Sequence, residues 1–435
     1  MVLTIIFLIG IIALLYFLQS KPNMVLLTWG ILYSISLHSS YLGFNFGVTL
    51  GAIQLYVNDL FAFGIIFYLV FNWRRSVLLF ENFQLVKLFF FVFSLNIFVL
   101  LFEAFFGDIP IPSLYNKSRY FFEIPFLFLY FLSFRYNDKS FEGIMQAFKY
   151  ISIVILVAFA ILTVFMFIGV LRFFNDGRPM HPYEVFFIII YTIYLLIKLL
   201  EGKTETKDNI LLFIMLLGIV LMRQRTMWLA FIGGLGIVLI NYKNQISSLI
   251  SRVLIFVFAI LLFLVFFPET TDVLFKSISK STEVFLDKES FQNSTGAYRM
   301  ARWKSRIESN FDWRVLFFGQ GHGYKRTSTF VFYGRKDINS TSFHNHFLEQ
   351  AFRIGLISVI VLIFSTIALA RLNKVSLPRN QWVFFNACYV ATYVGGIGYN
   401  FNLVFYILVG INLSILYDVY NKKHLVNFKS RSLWN

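Results

Sequence analysis

The sequence predicts an all-α polytopic integral membrane protein of about 12–14 transmembrane helices with one long, partly helical loop outside the membrane. Its composition is 58% hydrophobic and only 14% charged, and its mean hydropathy is +0.72. A soluble domain cannot bury so much apolar surface. Thirteen apolar runs, many of them long enough to cross a bilayer, follow one another along the 435 residues with short breaks between most of them. The sequence therefore predicts that most of the chain lies within the lipid bilayer.

The first apolar run, residues 1–18, lacks a charged amino-terminal region and a small-residue cleavage site, so we interpret it as a spanning helix and not as a signal peptide. The single cysteine, Cys388, excludes an intrachain disulfide. The thirteen predicted runs are 2–18, 24–38, 55–72, 85–105, 119–134, 150–172, 183–200, 209–222, 226–241, 249–267, 348–370, 381–396 and 401–418.

One polar segment of 76 residues, 268–343, interrupts the apolar pattern. This segment divides the chain, which we predict to be one integrated domain, into three parts. These are the amino-terminal transmembrane helices (1–267), a large external loop (268–347), and the carboxy-terminal transmembrane helices with a cytoplasmic tail (348–435). The loop is the natural place for polar chemistry, because the rest of the chain is mostly apolar.

Basic residues in the short loops predict the orientation. Loops such as "NWRRS" (72–76) and "RLNKVSLPRN" (371–380) belong in the cytoplasm by this rule. The same alternation then places "NDGRPMHP" (175–182), "RQR" (223–225) and the long loop together outside. The formal charge of +16 favours anionic partners, but it does not indicate nucleic acid, because basic residues also set membrane topology.

The stretch "STSFHNHFLEQAFRIG" (340–355) carries the strongest chemical signal. With Thr341 or Ser342 as the N-cap, His344 falls in the first turn of a helix, where the dipole favours a neutral imidazole that can accept a proton. A capping or interfacial histidine is an equally simple interpretation. Asn345 and His346 are secondary candidates by adjacency.

A metal site is not expected. His344 and His346 are two residues apart, which on a helix points them about 200° from each other. The sequence contains neither an H-E-x-x-H pattern nor a D-x-D pair that would hold a divalent ion on a nucleotide-sugar pyrophosphate. We therefore predict no metal and no cofactor.

Arginines supply possible anion ligands, since a guanidinium stays charged and binds phosphate through two hydrogen bonds. Arg223 and Arg225 stand at a membrane-exit turn, where they could also simply anchor two helix ends at the headgroups. Arg299, Arg302 and Arg306 share one helical face, which could also lie on anionic lipid.

Tyr298 and Trp303 could stack on sugar rings, although aromatic residues make up 20% of the chain and packing is the more common role. One base and several fixed cations, without a metal, suit the displacement of a pyrophosphate by an activated hydroxyl.

Four motifs in their order resemble the O-antigen polymerase and O-antigen ligase superfamily. "RQRTMWLAFIGG" is similar to an S-R-G-A-like turn with Gln224 in the serine position, and "YRMARW" to an R-x-x-x-W element. "LFFGQGHGY" is similar to a G-x-G turn, and "FHNHFLEQAFRIGLISVIVLIF" to an H-N-x-x-L segment that enters the next helix. The long outer loop and the number of helices agree with this family across the chain.

The resemblance implies a membrane-embedded, inverting, metal-independent glycosyltransferase. His344 would be the base that activates the acceptor hydroxyl, and Arg225 and Arg299 would hold the donor pyrophosphate. Donor and acceptor would be glycans on undecaprenyl pyrophosphate, in contact with membrane lipids and with room for a chain-length regulator. The site would face the outside of the bacterial inner membrane.

The motifs leave the reaction open among related activities. We favour a polysaccharide polymerase, because nothing in the sequence marks recognition of a phosphorylated core. An O-antigen ligase that transfers glycan to lipid A-core shares the same chemistry. A flippase for lipid-linked glycans should show internal repeats and charged groups at helix centres, which we do not find in the sequence. A scaffold with a basic loop would not need His344.

Overall fold

The computed structural model describes residues 21–39, 47–50, 53–72, 74–107, 110–167, 180–222, 224–245, 295–310, 312–322, 331–332, 335–336, 345–399, 401 and 403–432. Nearly all of these residues are helical, which confirms the predicted all-α membrane fold. The exceptions include two short antiparallel hairpins, β1 (Gly47–Leu50) with β2 (Ile53–Tyr56) and β3 (Val331–Phe332) with β4 (Arg335–Lys336).

The described helices before the long polar loop are α1 (Pro22–Ser39), α2 (Val57–Asn72), α3 (Arg74–Asn82), α4 (Gln84–Phe106), α5 (Ile111–Leu132), α6 (Asp138–Phe167), α7 (Pro182–Leu200), α8 (Thr206–Leu221) and α9 (Arg225–Asn241), followed by a 3₁₀ turn at Lys243–Gln245. Those in and after the loop are α10 (Thr295–Asn310), α11 (Trp313–Phe317), α12 (His346–Ile354), α13 (Leu356–Ser376), α14 (Arg379–Gly398) and α15 (Leu403–Ser432).

Five of the described helices are long and apolar enough to cross a membrane, namely α4, α6, α7, α13 and α15. The bent pair α2 and α3, with 78° between its arms, would make a sixth. Eleven of the thirteen predicted apolar runs fall on described helices, whereas the runs 2–18 and 249–267 lie outside the described residues. The chain is a multi-pass membrane protein, and the total of about 12–14 spans stays a prediction.

The structure corrects one predicted run. We expected 348–370 to be a single helix, but Gly355 separates α12 from α13. Its φ of +97° is a conformation that glycine adopts without strain, and a Cβ there would lie 2.4 Å from the Phe317 carbonyl oxygen. The chain therefore turns at Gly355, and α12 is a short helix separate from α13.

Helices α7 and α15 form the centre of the bundle, because 83% and 78% of their most apolar windows are buried. Around them, α14 packs on α9, α15 on α5 and α1 on α6. One buried carboxylate of the bundle, Asp59, is paired, as expected where desolvation is costly. Asp59 forms a 2.9 Å ion pair with Arg119 and accepts a 2.8 Å hydrogen bond from Tyr115.

Candidate functional site

The carboxyl end of α14 is the point at which separate parts of the chain meet. The last carbonyl groups of a helix have no partner within it and carry a partial negative charge. Here the carbonyl oxygens of Ile397, Gly398 and Tyr399 each accept a hydrogen bond from another segment. We call these three residues the α14 terminus.

The first donors come from the start of α12. The Asn345 Nδ2 atom donates to the Ile397 oxygen at 3.1 Å, while its Oδ1 atom accepts from the Leu348 amide at 3.1 Å and so caps the helix. The amide of His346 donates to the Tyr399 oxygen at 3.2 Å. Asn345, predicted by adjacency alone, is thus the N-cap of α12. The prediction that Thr341 or Ser342 caps this helix and that His344 lies in its first turn is wrong, because α12 begins at His346.

The next donor is Arg299, near the start of α10. Its Nη1 atom donates to the Gly398 oxygen at 3.3 Å, and its guanidinium lies 5.4 Å from the centre of the Tyr399 ring. A cation is stabilised both by the end of a helix and by an aromatic face. Arg299 and Gly398 are 99 positions apart in the sequence, and these contacts bring the predicted arginine to the same helix end as Asn345.

The beginning of α9 completes this meeting point. A Cβ at Gly398 would lie 2.7 Å from the Thr226 methyl carbon, so the first turn of α9 can approach only because Gly398 has no side chain. Arg225, the preceding residue, is the first residue of α9 and is exposed. The amino end of a helix favours an anion, and the cationic side chain of Arg225 adds to that preference.

Gln224 explains how the 223–225 turn is held. Its side chain is buried, and its Nε2 atom donates to the Met180 carbonyl oxygen at 2.9 Å. This bond joins the end of the 175–182 loop to the turn. This contact agrees with the prediction that the two polar loops lie on the same face of the membrane.

Helix α10 confirms the predicted helical spacing of the arginines. The side chain of Lys304 is 76% exposed, whereas Arg306 is fully buried and Arg299 and Arg302 are partly buried. The arginine face of the helix therefore points into the protein. Arg306 lies inside the protein, so of the three it is the least accessible to a substrate.

Of the two aromatic candidates, the structure describes the side chain of Trp303. Trp303 packs with Ile307 and Leu348 around the buried side chains of Val315 and Phe352. Its contacts are those of a packing residue that joins α10, α11 and α12. Tyr298 belongs to the first turn of α10, and its side chain lies outside the described part of the chain.

His346 is fully buried, and its ring stacks on Phe401 with 3.8 Å between ring centres. Within the described residues, neither ring nitrogen has a hydrogen-bond partner. Burial lowers the pKa of His346 from 6.5 to about 3, so the ring is neutral at neutral pH. His346 therefore cannot serve as a cation for a pyrophosphate.

This burial predicts a dependence of stability on pH. The His346 side chain of the unfolded chain takes up a proton near its ordinary pKa of 6.5, while the folded protein resists protonation until about pH 3. The contribution of this residue to stability is therefore present above pH 6.5 and is lost progressively as the pH falls towards 3. The variant His346→Phe keeps an aromatic ring on Phe401. As the pH is lowered from 7 to 4, the melting temperature of this purified variant should fall less steeply than that of the wild type. Equal slopes would contradict this assignment.

A second cluster, which the sequence did not reveal, fixes the other end of α12. The Gln320 amide donates to the Phe352 oxygen at 2.7 Å, and the Gly321 amide to the Arg353 oxygen at 3.1 Å. The His322 amide donates to Glu103 Oε2 at 2.6 Å. The G-x-G turn thus joins the end of α4 to the end of α12.

Arg353 is the centre of this cluster. It pairs with Glu349 one turn earlier, and its Nη1 atom donates to the His322 oxygen at 3.2 Å. Its guanidinium also lies 5.1 Å from the Phe121 ring centre. The pair at i and i+4 is readable in the sequence. The meeting of Glu103 with His322 is not, because 219 positions separate them.

The conformation of the G-x-G turn predicts that the substitution Gly319→Ala strongly destabilises the protein. Gly319 has φ +69°, and a Cβ there would lie 2.4 Å from the Arg353 backbone. Gly319→Ala should therefore lower the free energy of unfolding by on the order of 2 kcal/mol or more. Gly202→Ala is the matched control, because Gly202 has the same φ with nothing within 4 Å and so carries only the cost of the backbone conformation. Melting temperatures of the two purified variants would test this, and similar losses would contradict the packing argument.

Two predicted residues, His344 and Arg223, lie outside the described residues. His344 directly precedes Asn345, whose contacts place the start of α12 at the α14 terminus. In the part of the chain that the structure describes, no group of three or more histidine, cysteine, aspartate or glutamate side chains could hold a metal ion. The assembled chemistry is one of hydrogen-bond donors and guanidinium groups.

These features define a multi-pass α-helical membrane protein in which Arg299, Asn345 and the first turn of α9 meet at the α14 terminus. Within this class, residues 210–363 match the protein-family model described as O-Antigen ligase. The matched segment contains Arg225, Arg299 and Asn345, and the match supports the resemblance to the O-antigen ligase and polymerase superfamily that the motifs predicted. No curated protein sequence matches the chain.

Proposed function

We propose that this protein is an inverting, metal-independent glycosyltransferase that polymerises oligosaccharide repeat units carried on undecaprenyl pyrophosphate. The product would be O-antigen or a related surface polysaccharide, made on the outer face of the bacterial inner membrane. The family match supports glycan transfer in general. The observation that carries the proposal is the convergence of Thr226, Arg299 and Asn345 on the α14 terminus, since each represents a different predicted motif.

In the proposed reaction, His344 accepts the proton of an acceptor sugar hydroxyl. The oxygen then attacks the anomeric carbon of the donor glycan from the face opposite the pyrophosphate, and the bond from that carbon to the pyrophosphate oxygen breaks. The configuration at the carbon inverts. Negative charge grows on the departing pyrophosphate, where fixed cations stabilise the transition state more than the ground state.

Two arginines are best placed for that role. Arg225 is exposed at the start of α9, and Arg299 is partly buried beside the α14 terminus. Arg223 and Arg302 are further candidates, whereas the burial of Arg306 favours a role in holding α10.

The O-antigen ligase is the second candidate, and the description of the matched family favours it. It would use the same donor and the same base but would transfer the glycan to lipid A-core. The difference lies in the acceptor, and the described residues carry no feature that selects one acceptor over the other.

Deleting the gene in its host and separating the surface polysaccharide on a gel would distinguish these functions. Loss of the ladder with a single repeat still attached to its acceptor would support the polymerase. Loss of every attached repeat would overturn the polymerase in favour of the ligase or a flippase. A purified enzyme that needs a divalent ion after treatment with a chelator would contradict the metal-independent mechanism.

A further inference from the structure

The start of α7 lies close to the α14 terminus, although the proposed reaction does not use it. The Gln224 side chain donates to the Met180 oxygen at 2.9 Å, so the end of the 175–182 loop lies beside the turn that precedes α9. Two ring-bearing residues follow Met180 at this point, His181 and Tyr183. They are candidates for contact with a substrate that is bound at the start of α9.

A narrow cleft shows where Tyr183 lies relative to the proposed donor site. Its lining includes Tyr183 and Phe186 of α7, Met227 of α9, and Gly395 and Gly396 of α14. Met227 is two residues after Arg225, and Gly395 is three residues before Gly398, which corresponds to about 4.5 Å along a helix. The cleft therefore begins about one helical turn from the α14 terminus, beside the first turn of α9.

The cleft itself is too small for a sugar ring. Its volume is about 10 Å³, which is the space of a single water molecule. Tyr183 is only partly buried, however, so a ligand can contact it from outside the cleft. An aromatic ring offers a flat apolar face to the C–H groups of a sugar, whose hydroxyl groups can remain in water.

Tyr183 is held in a fixed position. The His181 ring lies 4.6 Å from the Tyr183 ring, and the His181 Nδ1 atom accepts from the Tyr183 amide at 3.4 Å. The Glu184 carboxylate in turn accepts from the His181 amide at 2.9 Å, which completes a capping box at the start of α7. A side chain on such a rigid helix start loses little freedom when it binds a ligand.

We propose that Tyr183 binds the donor glycan, and that the first sugar after the pyrophosphate packs its apolar face against the Tyr183 ring. The proposal rests on the proposed function, because it takes the pyrophosphate to lie at Arg225 and Arg299. The first sugar is bonded directly to that pyrophosphate and must therefore lie beside the first turn of α9, where Tyr183 is found. A tyrosine that only anchors α7 at the lipid headgroups would not distinguish a substrate with a sugar from one without.

Inhibition of glycan extension by the purified full-length protein would test this contact. Two competitors are compared, undecaprenyl pyrophosphate that carries only its first sugar and undecaprenyl pyrophosphate without a sugar. Tyr183→Leu removes the flat ring but keeps an apolar side chain, whereas Tyr183→Phe keeps the ring. Tyr194→Leu is the matched control, because Tyr194 is also a partly buried tyrosine of α7 but lies 11 residues further on, about 16 Å along the helix.

We expect Tyr183→Leu to raise the inhibition constant of the sugar-bearing competitor about fivefold, as for the loss of one aromatic contact. The inhibition constant of the sugar-free competitor should not change in this variant. Both constants should stay at their wild-type values in Tyr183→Phe and Tyr194→Leu. Arg225→Ala should instead raise both constants, because both competitors carry the pyrophosphate.

Three results would overturn the proposal while the wild type remains active. Tyr183→Leu could leave the inhibition constant of the sugar-bearing competitor unchanged, so that the ring does not contact this sugar. It could raise both constants equally, which would indicate a contact with the lipid or a disturbed fold. Tyr183→Phe could be as weak as Tyr183→Leu, which would exclude the ring face as the binding group. A wild type that extends no glycan would overturn the proposed function, and this inference with it.

Discussion

Replacing His344 with alanine is expected to abolish polysaccharide formation, with a loss of about 10²–10⁴-fold in rate that is typical for the removal of a general base. The physical reason is the place of His344 in the chain, one residue before the cap of α12. Asn345 ties this point to the Ile397 oxygen, within the same cluster of contacts as Arg299. His346 is a poor acceptor for the proton of a substrate hydroxyl, because its side chain is fully buried and burial lowers its pKa to about 3.

The measurement is the rate of glycan extension by purified protein with a lipid-linked repeat unit as substrate. His424→Ala is the control, since His424 belongs to the predicted cytoplasmic tail. Equal expression and equal melting temperatures of the two variants would exclude a loss of folding. If His344→Ala extended the glycan at the rate of the wild type, a different group must be the base.

The second large effect is expected for Arg299→Ala, with a loss of about 10²–10³-fold in the rate of transfer. The substitution removes a cation beside the predicted leaving group and also the 3.3 Å hydrogen bond to the Gly398 oxygen. Arg299→Lys should recover part of the rate, because an ammonium group keeps the charge but cannot reproduce the planar guanidinium over the Tyr399 ring.

Lys304→Ala is the matched control for Arg299→Ala. It removes a positive charge from the same helix, but its side chain is 76% exposed on the other face. Rates should be measured at saturating donor as well as at low donor concentration. A change confined to the KM for the donor would indicate that Arg299 only binds the substrate. Equal losses in the rate of transfer for Lys304→Ala and Arg299→Ala would contradict the proposed role of Arg299.

Local patterns in the sequence predicted much of this fold. Eleven apolar runs became helices because burial in lipid leaves an apolar segment few other ways to satisfy its backbone. The spacing of Arg299, Arg302 and Arg306 correctly predicted a helix, and Glu349 and Arg353 pair at the i, i+4 spacing that brings two side chains together on a helix. These features depend on residues that are close in the chain.

Features that depend on contacts between distant segments were not predicted. The break at Gly355 follows from its contact with the Phe317 carbonyl. A single glycine within an apolar run does not by itself predict such a contact. Likewise the pairing of Glu103 with His322 brings together α4 and the G-x-G turn, which no periodic pattern relates. The glycine-rich "GGIGY" stretch at the end of α14 was the one available signal for the meeting point, and it reads equally well as a simple end of a helix.

The α14 terminus presents main-chain oxygens to its partners, and this has a consequence for how the site would be found by mutagenesis. Replacing Ile397 or Tyr399 by alanine leaves the carbonyl groups that hold Asn345, His346 and Arg299 in place. Alanine at Ile397 would therefore leave the main-chain anchor intact, and the effect of alanine at Tyr399 would report the lost ring beside Arg299 and not the carbonyl groups. Only a change that alters the path of the chain, such as proline, or one that adds bulk at Gly398 against Thr226, would expose its importance.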